Sequence, residues 1–451
     1  MSGEQRHARE ASGALAARLV GEHFGVARGC LHIGGMAAGD LVATYGSPLY
    51  VYDGDLIEAR FDALQAALNG FAKVYYSIKA NPNPAIAALI VARGGGLEVA
   101  SGAEYKLARA AGANADSILF AGPGKGEQEL ELAIADGIGE IHLESFEEIA
   151  HVAAIARRHG RVANVAIRIN PGAGAQGGAM RMGGKPAAFG FDEEVLETVV
   201  AAVAAEPGLR LSGVHLFAGT QILDADVLLR QWEYGLRLAA DVARLSGGRI
   251  ARIDLGGGLG IPYHDGDKSL DLARIAAGAQ DLQRRRQADP LLRSAEVLIE
   301  PGRYLVGPAG VYLMSVRAVK MSRGQRFIVT DGGMHHHLAA SGNLGQVIKR
   351  DYPLVAATRL ADGGRSAASL VGPLCTPLDT LGRQTELADV AEGDIVAVLQ
   401  SGAYGLSASP VGFLSHPMPA EVLIRGGTHR CIRPRGTFDA PLVNLSASPQ
   451  F

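Results

Sequence analysis

The sequence predicts an α/β protein: a (β/α)8 barrel with a second, mostly β domain built from the C-terminal third plus an N-terminal strand segment. Three observations predict it. A short β-rich run, a Gly/Pro/Asn turn and an amphipathic helix recur eight times between residues 73 and 303. After Arg303 the helical period fades and short alternating strands follow. The chain has 451 residues, too many for one ordinary core, and its 60 glycines suit a fold with many tight strand-to-helix turns.

The elements follow in order. The early stretch DLVATYGSPLYVYD (40–53) reads as strand and is expected to join the β domain. The eight strand signals are KVYYSIK (73–79), GLEVAS (96–101), SILFAGP (117–123), EIHLES (140–145), NVAIRINP (164–171), LSGVHLFAGT (211–220), RIDLGGGLG (252–260) and EVLIEPGR (296–303). Helical patterns such as EEVLETVVAAVAAEP, and a long one around Trp232, fill the intervals. A doubly wound open sheet is the alternative, but it usually has fewer strands. Beyond the barrel, VYLMSVRAVKMS, RFIVTDGG, SLVGPLC, DIVAVLQSGAY and AEVLIRGG read as strands. The expected division is 1–55 as an N-terminal segment partly joining the β domain, 56–308 as the barrel and 309–451 as the C-terminal β domain.

Bulk properties exclude several function classes. The net charge of −3 and pI near 6.5 offer no basic field for nucleic acid or anionic membrane. Cys30, Cys375 and Cys431 are far apart and odd in number, which fits neither a disulfide framework nor a CxxC metal site and suits a reducing cytoplasm. The first 23 residues are interrupted by charge and lack an apolar secretory core, and no apolar run is long enough to span a membrane. A cytoplasmic protein is expected.

In a barrel of this kind the active site lies at the C-terminal strand ends. Those ends bring Lys79, Ser101, Gly122, Glu144 and Ser145, Arg168 and Asn170, Phe217 and Thr220, Gly256 to Gly258, and Glu300 with Arg303 to one rim. Lys79 follows an apolar run; partial desolvation would lower its pKa and free the amine to attack an aldehyde. In Gly256-Gly257-Gly258-Leu259-Gly260, successive backbone N–H groups can close around a phosphate. A carboxylate such as Glu300 would keep a pyridine nitrogen protonated, and Arg303 could hold a phosphate or carboxylate through two hydrogen bonds. Aldehyde, phosphate and pyridine together describe pyridoxal phosphate. Each feature also has a plain structural account: a solvated lysine, glycines for close packing, and a salt bridge.

Gly122-Pro123-Gly124-Lys125-Gly126 lacks the Ser/Thr that would hold Mg²⁺ in a nucleotide loop. In the β domain, Cys375 follows a tight Gly-Pro turn and could move a proton, although a buried inert thiol is the commoner case. Tyr404 lies in Gly-Ala-Tyr-Gly. His335-His336-His337, taken as extended, would point to alternate faces and could not converge on one ion, so no metal is expected.

These motifs resemble the fold-type III pyridoxal-phosphate decarboxylases, which include diaminopimelate, ornithine and arginine decarboxylases. YSIKANPN, GLEVASGAE, GGGLG, EPGR, GPLC and GAYG match in family order from about residue 40 to 430. The resemblance implies pyridoxal 5′-phosphate held by Lys79 as a Schiff base, with Glu300 on the ring nitrogen. Gly256, Gly257, Gly258, Gly302, Arg303, Thr220 and Tyr404 would surround the phosphate or substrate. It further implies a homodimer with shared active sites, in which Cys375 of the partner subunit returns a proton after CO₂ leaves.

Three departures narrow the substrate. Phe217 stands where members often have the histidine that stacks on the cofactor ring, and His215 lies two residues earlier. Thr376 replaces the acid that directly follows the cysteine in members acting on a distal ammonium, although Asp379 is retained. The stretch DGGMHHHLAASGNLG (331–345) lacks the Arg-Pro and Tyr that hold a distal carboxylate. Leaving both ends of a dicationic, dianionic substrate unpaired would cost several kcal/mol of discrimination. HHHLAASGN and FAGTQ resemble the subgroup acting on carrier-protein-linked amino acids, which includes glutamyl-carrier-protein and exosortase-associated decarboxylases. The expected reaction is therefore α-decarboxylation of an amino acid with a masked distal carboxyl, with Arg303, Thr376 and Tyr404 lining the substrate. Free diaminopimelate or another free amino acid, racemisation, and a non-catalytic regulatory homologue are the alternatives.

Overall fold

The computed structural model describes residues 13–172, 180–181, 186–217, 219–344, 349–362, 364–443 and 445. The chain divides into two compact units, one of residues 58–261 and 268–305, the other of 1–57, 262–267 and 306–451.

The first unit is a closed parallel barrel. Its strands are β1 (Lys73–Ser77), β2 (Gly96–Val99), β3 (Ile118–Phe120), β4 (Glu140–Leu143), β5 (Ala163–Asn170), β6 (Leu209–Leu216), β7 (Arg252–Asp254) and β8 (Glu296–Ile299). Each pairs with the next, and Leu298 of β8 opposite Lys73 of β1 closes the ring. All eight sequence signals became strands because β-branched and aromatic runs buried on both faces suit parallel pairing. The strands end earlier than the motifs do, since the terminal Gly, Ser and Lys residues form the turns. Gly213, at a bulge between β5 and β6, lies so close to β7 that a Cβ would overlap Arg252 O.

The helices start where the sequence places short polar residues. Asn83, Ser101, Ser145, Asp224 and Asp271 each accept a backbone N–H in the first turn of the following helix. Each cap contributes about 1 kcal/mol. The longest helix, Ala225–Leu245, buries Leu228, Trp232, Leu236 and Ala239, a stripe at helical spacing.

The second unit is mostly β. Its central strand Gly310–Ser322 pairs antiparallel with Leu49–Asp53, and Leu49–Asp53 pairs in parallel with Ala420–Arg425. Leu49, Val51, Val311, Leu313, Ala397, Leu399, Val422 and Ile424 form its core. The stretch 40–53 is only half strand, which corrects the sequence expectation. Ala38–Tyr45 is a helix ended by Gly46 at φ +76°, and only Leu49–Asp53 is strand. Leu41, Val42 and Tyr45 recur at helical spacing against the core, which overrides the β propensity of the segment. Thr380–Ala388 and Thr428–Arg433 are further strands that polar sequence concealed; both lie at sheet ends. Among the described residues no helix is long and apolar enough to cross a membrane.

Candidate active site

Lys79 sits on a single 3₁₀ turn, Ile78–Ala80, that leaves β1. Its Nζ lies 3.3 and 3.2 Å from the two carboxylate oxygens of Glu98 on β2, and Ser77 Oγ donates to the same group at 2.5 Å. Glu98 is buried, whereas the lysine side chain keeps 43% of its surface. The strand-end residues of the sequence point to Ser101 on this strand and do not include Glu98. Period-2 alternation was the available signal: in Leu97-Glu98-Val99 the acid alternates with apolar neighbours, and a buried acid requires a partner. Ser101 instead caps its helix by accepting Glu104 N–H at 3.1 Å.

Other rim residues are committed to one another. Glu144 accepts from Arg168 Nη1 and Gly122 N–H, both at 2.6 Å, and Arg168 with Lys125 holds its carboxyl below the usual range against the opposing effect of burial. Asn170 donates to Asp192 at 2.7 Å. Lys125, from the rejected nucleotide loop, donates to Gly122 O and His142 O and pairs with Glu148 at 2.8 Å. These contacts fix loops; they present no free group to a substrate.

The glycine run is dictated by space. Gly256 (φ +68°) and Gly257 lie where a Cβ would overlap Leu216 O and Glu300 O, and Gly258 has φ +93° with Gly219 O 2.9 Å from a Cβ position. Close packing and a left-handed backbone therefore both require glycine here. Beside it, Arg303 Nη2 donates to Thr220 Oγ1 at 3.2 Å. Gly302 sits against the turn that carries Lys79, with Ala80 Cβ 3.0 Å from a Cβ position. Phe217 is half-buried at the end of β6; Ala218, within the same motif, lies outside the described residues, as does Gly345.

Beneath the rim lies a buried polar cluster. His215 Nε2 is 3.2 Å from Glu300 Oε2, and the His215 ring stacks on His142 with centroids 4.2 Å apart. His142 Nε2 is 3.3 Å from Glu140 Oε1, and Glu140 also accepts from Ser212. Asp254 Oδ1 accepts Gly256 N–H at 2.9 Å. Burial pushes His215 down to about 4, so it is neutral near pH 7. Burial alone would raise Glu300, but His215, His142 and Lys79 outweigh it and hold the carboxyl low. Burial and the neighbouring Glu300 push Asp254 well up. The pair thus keeps its proton on Asp254 and its charge on Glu300.

One ligand atom from each of His142, His215, Asp254 and Glu300 lies within 4.8 Å of the others, a group the sequence reading had not assembled. An imidazole lone pair lies in the ring plane, and two stacked rings direct theirs side by side rather than onto an ion about 2.0 Å away. The Oε1 of Glu300 has no hydrogen-bond donor among the described residues. An ionised acid with an open acceptor fits a protonated ring nitrogen. With the Lys79 amine and the glycine run, the donor set fits pyridoxal phosphate.

In the β unit, Cys375 is exposed and Thr376 half-buried on the turn after Gly372. Asp379 is buried and turned inward, accepting Met334 N–H at 2.6 Å and Leu374 N–H at 2.9 Å. Tyr404 is half-buried with φ +52°. His335 to His337 form a turn and not the extended segment that the sequence argument assumed. His337 lies against Ser401 at 3.0 Å and His336 against Tyr312 at 3.3 Å, while the His335 ring packs between those of His336 and His416, with centroids 3.7 and 4.8 Å away.

A family profile, pyridoxal-dependent decarboxylase, pyridoxal binding domain, matches residues 54–307. The chain is 41% identical over 402 residues to the L-glutamyl-[BtrI acyl-carrier protein] decarboxylase of Niallia circulans, covering 88% of this chain and 94% of that protein. It is 32% identical to the diaminopimelate decarboxylase of Aquifex aeolicus, covering 91% and 94%. Among solved structures, diaminopimelate decarboxylase from M. jannaschii superposes with a TM-score of 0.86 at 25% identity, covering 95% and 98%.

Proposed function

This chain belongs to the pyridoxal-dependent decarboxylases, and we propose that it removes the α-carboxyl of an amino acid whose distal carboxyl is masked, such as a glutamyl thioester on an acyl carrier protein. The products are an amine and CO₂. The observation that carries the substrate assignment is the orientation of Asp379. The retained acid after the cysteine is spent on Met334 and Leu374 N–H groups, and Thr376 stands beside Cys375. A distal ammonium would find no carboxylate from that turn. The likeness to a carrier-linked glutamate decarboxylase supports the same reading.

When bound, pyridoxal phosphate supplies an electron sink conjugated to the α-carbon. Lys79 would hold its aldehyde carbon covalently, with Glu98 fixing Nζ at 3.2 Å. Glu300 would take the ring nitrogen, and neutral His215 would donate to it from behind. The N–H groups of Gly257 and Gly258 would take the phosphate, Gly256 shaping the turn with its own N–H given to Asp254, with Arg303 held beside them by Thr220 and Gly302 leaving room for the Lys79 turn. Phe217 would flank the ring, because His215 is committed to Glu300. Cys375 of the partner subunit would deliver the proton to the α-carbon in a homodimer, with Tyr404 and Thr376 lining the substrate; the exposed thiol supports this.

The test is to supply purified protein with glutamyl-carrier protein, free glutamate, ornithine, lysine and diaminopimelate, and to measure CO₂. Release from the carrier-linked substrate is expected. Faster turnover of free diaminopimelate would overturn the substrate assignment.

A further inference from the structure

Asp254 ends β7 with no exposed surface, and the proposed chemistry assigns it no role. Its Oδ1 accepts Gly256 N–H at 2.9 Å. Oδ2 has no donor among the described residues, lies 3.9 Å from His142 Nε2, and belongs to the group whose ligand atoms sit within 4.8 Å of Glu300. Gly256 is in turn held from its other side, since its carbonyl accepts Glu300 N–H at 2.8 Å. Asp254 side chain, Gly256 backbone and Glu300 backbone therefore form a continuous run of hydrogen bonds from β7 to β8, with the Asp254 and Glu300 side chains in one buried cluster.

We propose that Asp254 is a positioning residue that locks the glycine run and Glu300 into one register, so that the phosphate and the ring nitrogen of a single cofactor are gripped together. The proposal rests on the reading of Glu300 and the glycines given above. A carboxyl suits the position because Oδ1 accepts Gly256 N–H while Oδ2 lies in the buried cluster with His142 and Glu300. Two ionised carboxylates in that dry space would repel: burial and the neighbouring Glu300 push Asp254 up, while contacts with His215, His142 and Lys79 hold Glu300 low against burial. A carboxamide keeps the contact to Gly256 without placing a second charge beside Glu300, and a methyl group loses that contact.

The experiment measures dissociation constants of three probes on Asp254→Asn, Asp254→Ala and the parent chain. They are pyridoxal phosphate, pyridoxal, and an analogue with C–H in place of the ring nitrogen. Asp254→Asn is expected to bind pyridoxal phosphate within about threefold of the parent and to keep both penalties, for losing phosphate and for losing nitrogen. Asp254→Ala is expected to bind about tenfold more weakly or worse, with both penalties reduced together. Unchanged penalties in Asp254→Ala overturn the proposal, because loss of general stability would leave them intact. A tenfold weakening in Asp254→Asn also overturns it, whether or not the alanine variant folds. Glu300→Ala, measured alongside, separates the two ideas: if its nitrogen penalty stays at the parent's value, the reading of Glu300 fails whatever Asp254 does.

Discussion

Both units bury histidines in close-packed groups, yet the two groups have opposite characters. In the barrel, His142 and His215 stack among Glu140, Asp254 and Glu300, so every imidazole has an acid within reach. In the β unit, His335, His336 and His337 are surrounded by tyrosines, a serine and His416, and among the described residues none has an acid in hydrogen-bond contact. Burial lowers these three to about 4, 2 and 3, so they are neutral packing groups at any ordinary pH. Burying titratable side chains creates chemistry only where opposite charges share the space. Elsewhere it creates a liability toward acid.

The largest effect that sharpens this contrast is on the barrel side. Lys79→Ala is expected to abolish the visible absorbance of bound cofactor and to cost at least about 10³-fold in CO₂ release, since covalent attachment and orientation are both lost. Glu300→Gln removes the charge while keeping the shape. A loss of about 10² to 10³ in turnover is expected from steady-state kinetics, the range seen when one preorganised electrostatic group is removed.

Acid should strike the β unit hardest. An unfolded histidine titrates near 6.5, and these three titrate well below that in the fold, so the unfolded chain binds more protons in between. Stability is then complete above about pH 6.5 and falls as the pH drops toward the folded values. At pH 5 the loss is about 2 kcal/mol per imidazole. Thermal melts from pH 7.5 to 5 should show it; a flat profile would break the comparison. His215, lowered to about 4, adds a loss of the same sign from the barrel.

The smallest effect is the most discriminating. Neither ring nitrogen of His335 has a hydrogen-bond partner among the described residues. Its replacement by leucine should change stability at pH 7.5 by about 1 kcal/mol or less and leave turnover unchanged, while reducing the loss at pH 5. An equal cost at both pH values would mean that the imidazole has a role that packing does not explain.

Much of the barrel was legible because its strands are contiguous and doubly buried, so Val, Ile, Leu and Tyr announce each one. Lys79, the Gly256 run, Glu300 and Arg303 were legible because they sit at strand ends, where topology alone gathers them. The half-helix at 38–45 was not, since Leu41, Val42 and Tyr45 fit either period within so short a stretch. Glu98, Asp254 and His142 were missed for a different reason. Glu98 and His142 lie one residue inside the ends of their strands and Asp254 is the last residue of its own, and nothing local distinguishes a polar side chain facing a barrel interior from one facing solvent. Asp379 was misleading in the opposite sense, because a sequence motif retains the residue whether it points at the substrate or at a backbone amide.

The sequence by itself determined the barrel, its order of units, the lysine and glycine motifs, and the family to which they belong. Those are properties of periodicity and spacing, which the chain carries along its length. The tertiary structure alone decided that His215 supports Glu300 instead of standing at the rim, that Asp254 and Glu300 enter one buried cluster, and that Asp379 is spent inside its own unit. These depend on which side chains enter the same dry volume from strands far apart in the chain, and both charge state and orientation are set by that shared volume.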